Sequence, residues 1–458
     1  MIENDAFKLL LINLFHLNPD DIANILCTTF NKMMVLLVTL ADKHQACPYC
    51  GFTAPKIKEY VTKEITHSAL TTQKCIIKYR ARRYKCPCCG KTYYEFNPFV
   101  FKSQKISILT VHNILKDLKD FNETFTSVAR RYHVSPTSVS TIFDNHVDIG
   151  RNPLPEIINF DEVYAFKSEK SKYVCVLLDF KKQIPVDVLP NRKKEYLLNY
   201  FQKIPLEERK KVKYACSDMY EVYRDVVHKV FPEAKHLLDY FHLSQDFHKK
   251  MNEVRIKVMK GYKDNKASDE YYLLKKFNWL LFKNPEDEDK YGRLFDVERE
   301  RKYNSHFKSY MNYYDLRKKI LEINNDLTIC YSLKLELVDF YSKSTIDNAQ
   351  VNLEHLIRSF IDTNIEEMIK FSNNLINWKQ EIINSFTIVG TEYKVEADKG
   401  QVVVCNKKVN NAIIENRNKI IKCIKNNANG YTNWSRFRNR VMYVLDPNTT
   451  FSLEPREK

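Results

Sequence analysis

The chain has 458 residues, more than one compact core accommodates, so its length predicts several domains. Hydrophobic residues make up 44% and charged residues 28%, a globular composition that excludes wholesale disorder. The net charge of +16 points to a polyanionic partner, while only 8 glycines and the lack of GxxxxGK[ST] and GxGxxG argue against a phosphate loop or a dinucleotide fold.

The opening MIENDAFKLLLINLF carries acids ahead of its apolar run and no small-residue cleavage site, unlike a secretory signal. The best apolar run, MMVLLVTLA at 33–41, is too short to span a membrane and predicts a strand or a short buried helix. A soluble, cytoplasmic protein without membrane partners is expected, and its twelve cysteines are not expected to form disulfides. Their spacing is informative. CPYCG at 47–51 and CPCCG at 86–90 form two CxxC knuckles, each with proline after its first cysteine and glycine after its second. Cys47, Cys50, Cys86 and Cys89 suit a tetrahedral Zn²⁺ with four thiolates, and each glycine lets the backbone turn its amides towards the sulfurs. Such a closed site holds a fold and does no chemistry; Cys88 reads as a bystander, with a ligand swap for Cys89 as the alternative. VTKEITH and KCIIKYRARRYKC read as strands between the knuckles, which predicts a zinc ribbon over 47–100 after an N-terminal segment, 1–46. Arg80, Arg82 and Arg83, interleaved with Tyr79 and Tyr84, offer a basic strand face to phosphates.

Residues 101–150 are helical. SILTVHNILKDLK at 107–119 has helical spacing, and Thr126 to Val147 predicts a helix-turn-helix: Val128 and Ala129 face inward, a turn follows at His133-Val134-Ser135, and Ser135 caps a helix that opens with Pro136. The second helix would present Thr137, Ser138, Ser140 and Thr141 to a DNA groove. A generic helical hairpin is the plainer alternative.

From 151 to 244 strands alternate with helices. IINFDEV ends in two acids, KYVCVLLDF and 183–189 give two more strands, KVKYACSD ends in Asp218, and a fifth strand ends in Asp239, with helices between. This order matches the opening of an RNase H-like fold, whose first and fourth strands lie side by side, so Asp161 and Asp218 converge at strand ends. Paired carboxylates there make a hard-oxygen site for Mg²⁺ or Mn²⁺. Glu162 points to the opposite face by strand alternation, and Asp179 is a turn residue. Residues 245–404 read as a mainly helical insertion, with 387–405 less helical, and 405–458 as the last helices of the core. Glu415 shares a helical face with Asn411, Asn418, Lys419 and Lys422; spacing alone suits a surface Glu415–Lys419 pair as well as a metal ligand flanked by DNA-binding lysines. Trp378 could stack on a displaced base, although a lone tryptophan on a helical stripe is more often core.

Taken in order, these motifs resemble the ISL-three family of bacterial insertion-sequence transposases, which carry a DDE triad. The resemblance runs through CPYC…CPCCGKTYYE, Asn159-Phe160-Asp161-Glu162, Cys216-Ser217-Asp218-Met219, Asp239-Tyr240-Phe241-His242, NNAIIENRN at 410–418 and NGYTNWSRFR at 429–438. It departs near Glu415, where Ala412 and Asn416 stand in place of a small glycine. It implies a multidomain α+β protein whose RNase H-like core is interrupted by a helical insertion that contacts DNA ends. It further implies Asp161, Asp218 and Glu415 as catalytic metal ligands, with Asp239 and His242 in support. The implied reaction nicks the element's terminal inverted repeats and joins their 3′ ends to target DNA, in at least a dimer, on the bacterial nucleoid. A domesticated, inactive DNA-binding regulator and a nuclease that cuts without joining are the alternatives. The positive charge then falls on the ribbon strand, beside Glu415, through the insertion, and at Arg436, Arg438 and Arg440.

Overall fold

The computed structural model describes residues 2–43, 46–101, 104–166, 171–394 and 402–456. Helix α1 (Ile2–Leu14) packs on a mixed sheet of β1 (Ile22–Phe30), β2 (Met33–Leu40), β3 (Lys56–Thr66), β4 (Cys75–Lys85) and short β5 (Thr92–Tyr94). The run at 33–41 is therefore a strand. The order is β1-β2-β4-β3, with β5 also on β4. β2 and β4 pair in parallel, so the boundary expected at 46/47 runs through one sheet and one apolar core.

Three helices follow: α2 (Ile108–Asp117), α3 (Phe125–Arg131) and α4 (Pro136–His146). Thr124 and Ser127 form a reciprocal capping box on α3, and Ser135 accepts from the Ser138 amide to start α4. The turn between them is tightened by His133, whose φ is +53°. Val128, Ala129, Val139 and Phe143 bury the crossing.

A second five-stranded sheet holds β6 (Ile157–Val163), β7 (Val174–Asp179), β8 (Pro185–Leu189), β9 (Tyr214–Ser217) and β10 (Lys235–Leu238), in the order β10-β9-β6-β7-β8. β6, β9 and β10 run parallel, and β7 and β8 continue antiparallel from β6. These strands are buried almost throughout because both faces are covered. Helices α5 (Lys194–Gln202), α6 (Leu206–Arg209) and α7 (Glu221–Val230) intervene, and α5 and α7 bury one face with Phe160, Phe201 and Tyr223.

Helix α8 (Tyr240–Lys260) leaves β10 without a break and enters a helical body. That body holds α9 (Asp269–Lys276), two short hairpins formed by β11 (Glu288–Asp289) with β12 (Gly292–Arg293) and β13 (Lys302–Asn304) with β14 (Ser309–Met311), then α10 (Tyr313–Glu322), α11 (Asn325–Lys343), α12 (Ala349–Ile361), α13 (Glu366–Asn377) and α14 (Lys379–Asn384). It has its own core around Phe247, Leu337, Phe360 and Phe371. The hairpin of β15 (Ile388–Lys394) and β16 (Val402–Lys408) leads back to α15 (Ala412–Asn427) and α16 (Trp434–Leu445), which cover the other face of the second sheet together with α2–α4. The expected boundaries at 244/245 and 404/405 thus fall inside α8 and β16.

Candidate functional site

The IINF run buries β6 and delivers Asp161 near its end. Alternation sends Asn159 and Asp161 towards α15, and Phe160 and Glu162 towards α5 and α7. β6 pairs with β9 as Asn159 to Cys216, and β9 with β10 as Ser217 to Leu238. Continued one or two residues, these registers set Asp161, Asp218 and Asp239 level across three adjacent strand ends, with neighbouring strands about 4.8 Å apart. Asp239 is also the residue before α8, and His242 follows one turn in. Glu415 lies in the first turn of α15. Its carboxylate is 3.9 Å from His242 Nε2, which is 4.0 Å from Asp239 Oδ2. Asp239, His242 and Glu415 offer ligand atoms within 4.8 Å of one another; Asp161 and Asp218 stand outside that tightest set but share its field.

That field is strained by charge. Burial, reinforced by Asp218, pushes the Asp161 carboxyl up to about 7. Burial, reinforced by Glu162, pushes Asp218 up to about 6, and burial raises Asp239 as well. His242 opposes the shift in all three. Asp218 Oδ1, Asp239 Oδ2 and His242 Nε2 are buried without a hydrogen-bond partner. Unsatisfied carboxylate oxygens facing like charges are what a divalent cation offsets, so the donor set fits Mg²⁺ or Mn²⁺.

Asparagines tie the pieces together. Asn418 Nδ2 donates to Asp161 Oδ2 at 2.7 Å, and the Glu162 amide donates to Asp161 Oδ1. Asn159 donates to Asn411 Oδ1 and to the Asn410 carbonyl, Asn411 Nδ2 donates to the Phe160 carbonyl, and the Asn411 amide donates to Asp239 Oδ1. Asn411 occupies the cap position of α15 but spends its side chain on this clasp. A polar Asn159 inside an apolar strand was the available sign of it. Arg192 is a further neighbour without a motif of its own. It pairs with Glu162 and lies over the Tyr220 ring.

The four cysteines converge. Cys47 and Cys89 sulfurs are 3.7 Å apart, those of Cys50 and Cys86 3.5 Å, and all four lie within 4.8 Å. Tetrahedral zinc at about 2.3 Å from each sulfur requires sulfurs about 3.8 Å apart, so the set fits zinc. Gly51 and Gly90 have φ of +75° and +70°, and each donates its amide to the carbonyl of the knuckle's first cysteine. Cys88 is exposed and outside the set.

Several residues expected at DNA are committed elsewhere. Arg82 pairs with Glu95 at 2.8 Å and donates to the Leu40 and Ala41 carbonyls, closing the first sheet. Arg83 pairs with Glu59 at 2.7 Å; Arg80 stays exposed against the Tyr60 ring. On α4, Thr137 and Thr141 are exposed and Ser138 meets the capping Ser135, but Ser140 is buried and donates to the Thr137 carbonyl, which removes it from any groove. Trp378 is 3% exposed, in the core of the helical body beneath Arg224, so it cannot stack on a base. Arg436 holds Asp144, Arg438 holds Asp187, and buried Arg440 donates to the Asp120 and Glu123 carbonyls: these arginines lock α16 in place. Lys419 and Lys422 remain exposed on α15.

Among the described residues no helix is long and apolar enough to cross a membrane. Over 408 residues the chain is 19% identical to the transposase for insertion sequence element IS1001 of Bordetella parapertussis, covering 89% of this chain and 90% of that one. A transposase family model of the ISL-three DDE group matches residues 158–397, from β6 through β15, a span that contains Asp161, Asp218, Asp239 and His242. With just over half of its length matched in this way, the chain belongs to the ISL-three family of transposases.

Proposed function

We propose that the protein is a DDE-type transposase that binds the terminal inverted repeats of its element, nicks them and joins the freed 3′ ends to target DNA. The observation that carries this reading is the level row of Asp161, Asp218 and Asp239 at three parallel strand ends, met by Glu415 from α15, with buried carboxylate oxygens left unpaired. The strand order supports an RNase H-like core. Divalent cations bound there would activate the attacking hydroxyl and stabilise the departing oxygen of a phosphodiester. Asp161, Asp218 and Glu415 would hold the cations, and Asn418 fixes the Asp161 rotamer. Asp239 starts the helix that faces Glu415, and His242, one turn in, moderates the local negative charge. The cysteine set, holding zinc, braces the first sheet, whose exposed Arg80 lies over DNA. Thr137 and Thr141 face a groove from α4, and Lys419 and Lys422 meet phosphates beside the acids. Because two ends are joined in concert, the active form is at least a dimer. Retention of every acid in the row speaks against an inactive regulator.

The test is a cleavage and strand-transfer assay on inverted-repeat duplexes with Mg²⁺. Wild type is expected to cut the duplex and to join a pre-cut end. Asp161→Asn is expected to bind the same duplex and do neither; a variant that still cuts would remove the assignment. Cutting without joining of pre-cut ends would reduce the protein to a nuclease.

A further inference from the structure

Resting on the reading that the acid row cuts DNA, we infer that the cleft beside it receives one nucleobase of the strand being cut, turned out of the duplex, with Phe241 as its stacking face. The cleft holds about 510 Å³, within the range of about 300–1,000 Å³ usual for small-ligand sites. It opens between the first turn of α8, the end of α11 and the start of α15, so Asp239 and Glu415 form one of its walls. A phosphate held at those carboxylates leaves its own nucleotide at the cleft mouth.

The rest of the lining selects a neutral, flat group. Tyr240 and Tyr341 rings are 3.9 Å apart, and Tyr341 lies nearly parallel to Phe386 at 5.3 Å, which gives the cleft an aromatic floor. Lys408 donates to the Tyr341 carbonyl at 2.8 Å with its ammonium over the Phe386 ring, which holds the cation against the aromatic side of the cleft. Phe241 is 49% exposed at the rim, beside His242. An aromatic floor, an exposed aromatic rim and the polar edges of Ser342 and Asn410 suit a base, which needs a π-face and a few hydrogen-bonding groups. Trp378, the stacking residue suggested by the sequence, is buried, whereas Phe241 is exposed in the cleft that Asp239 and Glu415 line.

The experiment uses full-length protein carrying Asp161→Asn, so that DNA stays intact, and end duplexes with 2-aminopurine at single positions flanking the cut. Protein is saturating, so every duplex is bound. A severalfold fluorescence rise is expected at one position, reporting a base that has left the stack. Ser342→Trp, which fills the cleft from the exposed end of α11, is expected to abolish the rise; Val338→Phe does the same should the first variant misfold. Phe241→Ala is expected to reduce it. No response at any position, or a response that survives the cleft-filling variants, overturns the inference. Wild-type cutting of the same duplexes in Mg²⁺ is measured alongside. Wild type that cuts without a base response removes the cleft's role alone, whereas wild type that does not cut removes the proposed function itself.

Discussion

Replacing Asp161 by asparagine is expected to stabilise the metal-free protein while disabling it. Burial lifts this carboxyl from its ordinary 3.8 to about 7. The folded-state value lies above the unfolded one, so the protonated form favours the fold. That contribution is complete below pH 3.8 and is lost as pH rises through about 7. Full ionisation costs about 4 kcal/mol at about 1.4 kcal/mol per pH unit. An amide avoids that cost but is still a buried polar group, so a net gain of about 2 kcal/mol is expected. The neighbourhood accepts it: Asn418 Oδ1 is buried without a partner, so rotation of the Asn418 amide lets it accept from the new side chain. Melting curves in EDTA should place the variant above wild type at about pH 8.5, with the difference narrowing towards about pH 4. Added Mg²⁺ should stabilise wild type and leave the variant nearly unmoved, because only a cation that binds the fold shifts its stability. A variant no more stable than wild type in EDTA at high pH, or equal stabilisation of both by Mg²⁺, would refute the account of a site held under charge strain.

Two further outcomes follow from residues whose expected roles the structure redistributes. Cys47→Ser should lower zinc content by one equivalent, measured by metal analysis, and weaken binding to end duplexes, because the knuckles anchor the strands that flank Arg80. Trp378→Ala should destabilise the helical body by about 3–5 kcal/mol, measured by denaturant unfolding, as expected for a large ring removed from a core. Any loss of DNA binding in that variant should track unfolding and not appear at low temperature.

The acids are legible in the sequence because each follows a short apolar run, which fixes both a strand and its end. Cys47 to Cys89 are legible because a metal set needs local spacing within each knuckle. What the sequence hides is long-range pairing. Nothing near Arg82 announces that Glu95 and two carbonyls of β2 and its flank will consume it. Arg436, Arg438 and Arg440 look like a basic grip until α16 meets Asp144, Asp187 and the loop before α3. Net charge counts such residues as free, whereas folding has already assigned them. The parallel pairing of β2 with β4 is equally non-local, and it carries one sheet across the expected first boundary. Glu415 sits between these cases: a helix face is readable, but which strand ends it would meet depends on Asn159 and Asn411 closing a gap that spans the entire helical body.

If the acids cut DNA as proposed, that closure bears on when the protein could first do so. Asp161, Asp218 and Asp239 emerge early in synthesis, but the last carboxylate and the Asn418 that steadies Asp161 come only after the helical body has been made. α15 is held in its seat by Asn410 and Asn411, which bond to Asn159 of β6 and to Asp239 at the head of α8. A truncated or half-made chain therefore carries acids without the partner that completes them. Under the proposed function, the order of residues along the polypeptide would work as a built-in delay on chromosome breakage.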